Sequence, residues 1–236
     1  RPTDTSPEFV PIPDRWRLGL PEWNRYERPI PDTPFKPGRW WDPYNQNVLK
    51  GDFPIYGQNV FMNLSAIMDT LFEARRIPVA SNPSAARPDS ADNFGDPEQF
   101  FLNHNFILSL SVFKGDTAFK PRDFEFRITG LFNFNFLQAR EQGVVNADVR
   151  EGIARNEDHA SLSEFFVEYH LRDLTPNYDF VSVRAGIQQF VSDFRGFVFA
   201  HDNLGVRAFG NFASNRQQYN AVYFRPFEKD TNSGLN

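Results

Sequence analysis

The chain has 236 residues, 25 Lys+Arg against 30 Asp+Glu for a formal net charge of −5, and no cysteine. That balance excludes a generally basic, phosphate-seeking surface, and the missing thiols exclude a disulfide scaffold, thiolate zinc sites and cysteine nucleophiles. At 40% hydrophobic and 23% charged the composition is not that of a disordered chain, yet its apolar content is lopsided, with 27 Phe.

Residues 1–56 carry 11 of the 18 prolines and all four tryptophans, Trp16, Trp23, Trp40 and Trp41. Proline fixes φ and removes a backbone donor, so this stretch reads as extended, irregular chain that packs onto something larger through its aromatics. From residue 57 the pattern changes to period two, the signature of a strand with two unlike faces. In 59–74, Val60, Met62, Leu64, Ala66, Met68 and Phe72 share one face and Asn59, Asn63, Ser65, Asp69 and Glu73 the other. In 102–113, Phe106, Leu108, Leu110 and Val112 oppose Asn103, Asn105, Ser109 and Ser111. In 122–138, Phe124, Phe126, Ile128, Phe132, Phe134 and Phe136 oppose Glu125, Arg127, Thr129, Asn133 and Asn135. In 161–173, Phe165, Val167, Tyr169 and Leu171 oppose Glu164, Glu168, His170 and Arg172. In 178–192, Val181, Val183, Ala185 and Ile187 oppose Ser182, Arg184, Gly186 and Gln188. In 203–213, Leu204, Val206, Ala208 and Phe212 oppose Gly205, Arg207 and Asn211. The last segment, 216–227, is the least clean, because Val222 and Phe224 fall with Gln218 and Asn220 rather than with Tyr219, Ala221 and Tyr223.

Several of these segments exceed the five or six residues usual in a soluble protein and reach the roughly 9–11 that a tilted strand needs to cross a bilayer. The connections 75–101, 114–121, 139–160, 174–177, 193–202 and 214–215 alternate long and short, as outer-membrane barrels do between their outer loops and periplasmic turns. No run of about 18 apolar residues reads as a transmembrane helix or a secretory h-region. Lipid supplies no hydrogen-bond partners, so strands that span it must close or pair. Arg127, Arg184 and Arg207 on one face would each cost several kcal/mol in a dry, unpaired core. The expected fold is therefore all-β: an antiparallel up-and-down meander forming a partial, open transmembrane β-barrel over 57–236, behind an irregular periplasmic segment at 1–56. Seven strands is an odd number for a bacterial barrel, so the sequence is expected to be a fragment with more strands to follow.

The candidate site is the face expected to line a lumen: Glu125, Arg127, Glu164, Glu168, His170, Arg172, Arg184, Gln188 and Arg207. Such a row serves either as a charged constriction that selects solutes or as an interstrand ion-pair network that fills the interior. The four histidines, His104, His159, His170 and His201, show no metal-ligand spacing, and His159 and His201 fall in expected outer loops. Ser161 and Ser163 lie near His170 in sequence, but Ser163 falls on the opposite face, so no nucleophile–base pair is expected. Asp89, Asp92, Asp96 and Glu98 read as a solvated acidic loop rather than a calcium loop, and no phosphate-binding glycine loop occurs. No catalytic residue, metal or cofactor is expected, and no nucleic-acid partner.

The segments GRWWDPYNQNVLKGDFPI (38–55), FVSDFRGFVFAHDNLGVRAFG (190–210) and QYNAVYFRPFEKDTNSGLN (218–236) resemble a family of large, porin-like outer-membrane β-barrel proteins of Gram-negative bacteria. The resemblance runs over the whole chain, matches an N-terminal part of such a barrel, and implies location and architecture more than activity. No TonB box or complete plug domain accompanies it. The expected role is passive, porin-like solute passage or a structural surface role in the outer membrane, with outer-membrane lipid and small solutes as partners. The alternative is a soluble secreted or periplasmic β-sandwich that binds a carbohydrate-type ligand on Trp and Tyr platforms.

Overall fold

The structure, a computed structural model, describes residues 39–79, 94–115 and 120–226. Seven strands follow in chain order: β1 (Val60–Arg76), β2 (Glu98–Lys114), β3 (Phe124–Ala139), β4 (Ala154–Thr175), β5 (Asp179–Val191), β6 (Ala200–Phe212) and β7 (Gln217–Arg225). They form one sheet in the order β1-β2-β3-β4-β5-β6-β7, so each strand pairs with its neighbours in sequence and the sheet is an open up-and-down meander. All seven expected strands are present. The shortest is β7 with 9 residues and the longest is β4 with 22.

The strand bounds differ from the sequence expectation mainly in β4, which begins at Ala154 rather than near residue 161. The added stretch ARNEDHA is polar on both faces, so it carries no period-two signal. Its extended backbone shows instead in side chains two apart meeting along one face: Arg155 Nε lies 3.1 Å from Glu157, and His159 lies 3.8 Å from the same carboxylate. His159 thus sits in β4, and His201 in β6 rather than in a loop. β6 also begins early, with Ala200 opposite Val191. The connection 192–199 is therefore no longer than 115–123, but it still exceeds its neighbours 176–178 and 213–216, so the expected alternation of longer and shorter connections is kept with a smaller contrast. Asp193 folds the 192–199 loop tightly by accepting the Phe197 and Val198 amides at 3.0 and 3.1 Å.

The turn 213–216 between β6 and β7 places Ala213, Ser214 and Asn215 in the left-handed region, with φ of 58°, 59° and 61°. Three such non-glycine residues in a row are costly. The Asp179 carboxylate offsets that cost: it accepts the Ser214 and Asn215 amides at 3.1 and 2.9 Å and the Thr175 hydroxyl at 2.7 Å. One side chain so holds the turn after β6 and the turn before β5.

The irregular character expected for the N-terminal segment is seen over residues 39–56; residues 1–38, with Trp16 and Trp23, lie outside the described residues. Asn47 organises this stretch. Its Nδ2 donates to the carbonyls of Arg39 and Trp40 at 2.8 and 2.7 Å, and its Oδ1 accepts the Leu49 amide at 2.9 Å. The segment touches β1 through the Leu64 amide, which donates to Leu49 O at 2.7 Å, and through an isolated bridge between Lys50 and Asn63.

The chain divides into two compact units. The first comprises Arg1–Leu64, Leu110–Ile128 and Glu164–Asn236; the second comprises Ser65–Ser109 and Thr129–Ser163. In the first unit the burial is inverted relative to a soluble sheet. Glu125, Glu168, Ser182 and Gln188 are 3%, 5%, 0% and 0% exposed, whereas Val167, Tyr169 and Val206 on the other face are 43%, 56% and 48% exposed. The second unit leaves Met68, Phe72, Phe132 and Phe134 exposed and buries Thr129. Its apolar side carries aromatic contacts between neighbouring strands, Phe72–Phe100 at 4.8 Å, Phe100–Phe136 at 5.7 Å and Phe106–Phe132 at 6.4 Å between ring centroids. Among the described residues no second sheet covers the Phe124–Phe136 stripe.

Glycines set the spacing of β4 to β7. Gly186 pairs with Phe166 and Gly205, and Gly205 in turn pairs with Phe224. A Cβ built on Gly205 falls 2.1 Å from Tyr223 O and 2.5 Å from the Phe224 ring, so the ring lies over the glycine in the manner of an aromatic rescue. This explains why Phe224 departs from the apolar side. Gly205→Ala is therefore expected to cost about 3 kcal/mol, the upper range for overpacking. Gly130→Ala, whose Cβ meets nothing closer than 3.7 Å, is expected to be neutral within about 0.5 kcal/mol. Thermal unfolding of both variants in detergent micelles checks the pair, and equal melting temperatures would contradict the spacing argument.

Candidate functional site

Alternation places side chains two apart on one face, and antiparallel pairing puts the faces of neighbouring strands in register. Glu125 and Arg127 on β3, Glu164, Glu168 and His170 on β4, Arg184 and Gln188 on β5 and Arg207 on β6 consequently share one face of the first unit. The register confirms the sequence of neighbours, with Glu168 opposite Arg184 and Arg184 opposite Arg207.

Along this row charge is neutralised stepwise. Glu125 receives Arg122 Nη1 at 2.5 Å and Arg127 Nη2 at 2.7 Å, and it also accepts the Ser111 hydroxyl at 2.9 Å. Arg127 reaches on to Glu164 at 3.6 Å. Arg184 Nε and Nη2 both donate to one oxygen of Glu168, at 2.8 and 2.5 Å. Aromatic rings fill the gaps between the guanidinium groups. Phe166 lies between Arg127 and Arg184, at 5.5 and 4.3 Å from its centroid, and Phe209 lies between Arg184 and Arg207, at 5.8 and 4.6 Å. Phe190 follows, 5.3 Å from Arg207. Each such contact contributes roughly 0.5–1 kcal/mol where it is partly exposed, and more as water is excluded. The rings also explain the burial of the carboxylates: flat apolar groups stacked on guanidinium planes close the row against water without removing the pairing that a buried charge requires.

His170 belongs to the row at its edge. Its Nδ1 is 3.1 Å from Ser182 Oγ and its Nε2 is 3.1 Å from Asp173 Oδ1. Serine, imidazole and carboxylate are the residue types of a nucleophilic triad. Here the Ser182 side chain is fully buried, so its hydroxyl offers no approach to a substrate carbonyl. The three residues instead fasten β4 to β5 beside a β-bulge. Ser161 and Ser163 take no part in these contacts with His170.

That bulge corrects the placement of Arg172. His170 stands opposite Ser182, but the next pair is Arg172 with Val181, and Leu171 is the inserted residue. The register shift moves Arg172 to the apolar side with Val181, and Asp173, opposite Phe180, returns to the polar side. Simple alternation cannot register such a step. Gln188 is fully buried, and its Nε2 donates to the carbonyls of Arg184 and Gly205 at 3.4 and 3.3 Å. Opposite it stands Asn203, also buried.

Sequence reasoning missed Arg122, Phe166, Phe190 and Phe209 as members of the row, and it set Asn220 on the polar side of the last segment without naming it as a candidate. Phe166 was legible, since it lies between Glu164 and Glu168 at the period of the polar face. Arg122 precedes β3, and no periodicity points to it.

The polar side of the second unit has a different chemistry, neutral amides and hydroxyls. Asn133 Nδ2 donates to Asn103 and Asn105 at 2.7 and 2.6 Å, Asn135 Nδ2 donates to Asn133 Oδ1, and the Ser109 and Thr129 hydroxyls share a hydrogen at 2.8 Å. A cleft of about 380 Å³ in this unit is lined by Arg75, Arg76, Glu98 and Arg140 among others. Of its charges, Arg140 meets Glu98 at 2.6 Å and Arg75 meets Glu73 at 3.4 Å. Asp96 binds Glu141 through its amide, at 2.8 Å, while Asp89 and Asp92 lie outside the described residues. His104 lies inside β2, its Nδ1 2.7 Å from the Thr70 hydroxyl. Among the described residues no group of three or more His, Asp or Glu is placed to hold a metal ion.

No family model matches the chain, and neither a curated protein nor a solved structure matches it significantly.

The pairing of Glu168 with Arg184 generates a stability prediction. Glu168→Gln leaves a largely buried guanidinium without its counter-charge and is expected to cost about 3 kcal/mol, the lower range for breaking a buried pair. The double change Glu168→Leu with Arg184→Met removes both charges and is expected to recover most of that loss. Unfolding of the single and double variants in micelles measures both, and a double variant less stable than Glu168→Gln would show that the pair itself, rather than the avoidance of a lone charge, holds the row.

Proposed function

We propose that this chain belongs to an outer-membrane β-barrel that gives passive, porin-like passage to small solutes, its polar row facing the lumen and its apolar face touching lipid. The observation that carries this reading is the inverted burial of the sheet. Charged groups are sealed on one face while Phe, Val, Leu and Tyr stand open on the other. In water an apolar face of this extent is unfavourable and marks a surface that something apolar covers. Hydrocarbon covers such a face without supplying hydrogen bonds, and strands bonded to one another need none. Every strand has at least the nine residues that a tilted crossing requires. Long strands, sequential antiparallel pairing and alternating faces are what a transmembrane barrel needs. The N-terminal segment would then lie in the periplasm, and no cofactor is required.

Val206, midway along β6, is half-exposed on the apolar face and pairs with Ala185 and Tyr223. If this face touches lipid, Val206→Lys costs about 2–4 kcal/mol when the protein is folded into phospholipid vesicles. If the face meets water, the same change stays within about 0.5 kcal/mol. The parent protein is expected to float with phosphatidylethanolamine–phosphatidylglycerol vesicles after an alkaline wash. A folded, monodisperse protein in detergent-free buffer that tolerates Val206→Lys would replace this reading with that of a soluble binding module.

A further inference from the structure

The guanidinium groups of the polar row are not all paired with a carboxylate. Arg122 and Arg127 converge on Glu125, Arg127 extends to Glu164, and Arg184 takes Glu168. Arg207 completes the row with no carboxylate partner among the described residues. Its Nε donates to Asn220 Oδ1, a neutral acceptor, at 2.7 Å. Across the strand pair it faces not an acid but Arg184, and on its other side it faces Val222. Like charges directly opposite on a sheet repel. Arg184 has its counter-charge in Glu168, so the excess positive charge rests with Arg207.

We propose that Arg207 is an anion-binding position, specific for small carboxylates that carry a flat apolar group. The proposal rests on the passage reading above and names the class of solute the row would select. Nε of Arg207 is held by Asn220 and its two Nη groups have no hydrogen-bond partner among the described residues, so a guanidinium edge is left to take both oxygens of a carboxylate. Phe209 and Phe190 lie at 4.6 and 5.3 Å and fix the guanidinium plane. Phe190 also meets Phe224 and Phe199, at 5.5 and 6.2 Å between ring centroids, so the guanidinium borders a cluster of rings against which the flat part of a solute can pack. A bound carboxylate also relieves the repulsion from Arg184. A guanidinium kept for packing alone would gain from an acid at position 220. Asn220 provides the hydrogen bond without the charge, which holds the side chain and leaves its field unspent.

The probes are benzoate, acetate and benzylammonium, titrated by calorimetry or by amide chemical shifts against the protein folded in zwitterionic micelles. Benzoate is expected to bind in the millimolar range, acetate several-fold more weakly, and benzylammonium not measurably. Asn220→Asp supplies the missing counter-charge on an exposed strand and is expected to weaken benzoate by about tenfold or more while the protein stays folded. Arg207→Gln is expected to do the same. Equal binding of benzoate and benzylammonium, or benzoate binding unchanged by Asn220→Asp, would overturn the proposal. Micelle binding does not depend on conductance, so the passage reading is tested separately. A protein that binds benzoate at Arg207 yet gives no conductance in planar bilayers loses the passage reading alone. A conducting protein whose anion preference is unmoved by Asn220→Asp loses the anion site alone.

Discussion

A guanidinium on a sheet face has to stay hydrated or meet an acid, and this sheet carries four of them within one row. The contacts that solve that problem govern the rest of the first unit. Glu125 and Glu168 neutralise, Phe166 and Phe209 cover, and the two together allow charges to be buried that would otherwise need open water. Once that face is committed to polar contacts, alternation leaves no choice for the other. Val167, Tyr169, Leu204 and Val206 are directed outward because their neighbours in sequence are directed to the row. A slip of register by one residue would exchange every one of these positions, so the ion pairs specify register as much as they contribute stability. The pairs Glu168–Arg184 and Gln188–Asn203 lie two rows apart on either side of the Gly186–Gly205 pair, and all must align together.

The aromatic residues have two uses, which their count alone does not separate. Phe132, Phe134 and Phe165 stand on the apolar face, where they cover area. Phe166, Phe190, Phe209 and Phe224 stand on the polar face, where they lie over guanidinium groups or over glycine. A leucine could serve in the first group. It could not serve as well in the second, because it lacks the electron-rich face that attracts a cation and the flat shape that covers Gly205 without pushing β7 away. The excess of Phe in the sequence is thus the sum of two demands made on opposite faces of the same strands.

Period two made the strands legible, together with the membership of Glu125, Arg127, Glu164, Glu168, His170, Arg184, Gln188 and Arg207 in one row. Those positions follow from local chain geometry, which each residue carries with it. What escaped depends on partners distant in sequence or on steps that break the period. Residues 154–160 are polar on both sides, and only their pairing makes them strand. The inserted Leu171 sends Arg172 to the apolar side, and nothing in the residue types at 170–173 announces the step. The early start of β6 likewise comes from its pairing with Val191, in a segment where Phe197, Val198 and Phe199 carry no alternation.

On the proposed reading, stability and selectivity ask for different residues in this row. For stability alone, the residue facing Arg207 would be acidic, since one more carboxylate would remove the repulsion from Arg184 and complete the pairing begun at Glu125. Each other guanidinium of the row has such a partner, so the chemistry was within reach of the same strands. The neutral Asn220 breaks the series at its last member, next to the two rings that already hold the side chain in place. An unbalanced cation supported on three sides is a poor structural device and a good recognition element, because its field stays directed at whatever passes over the face. On the reading proposed above, the ion pairs at Glu125 and Glu168 act as the rigid support, and Arg207 is the position at which that support would meet a solute.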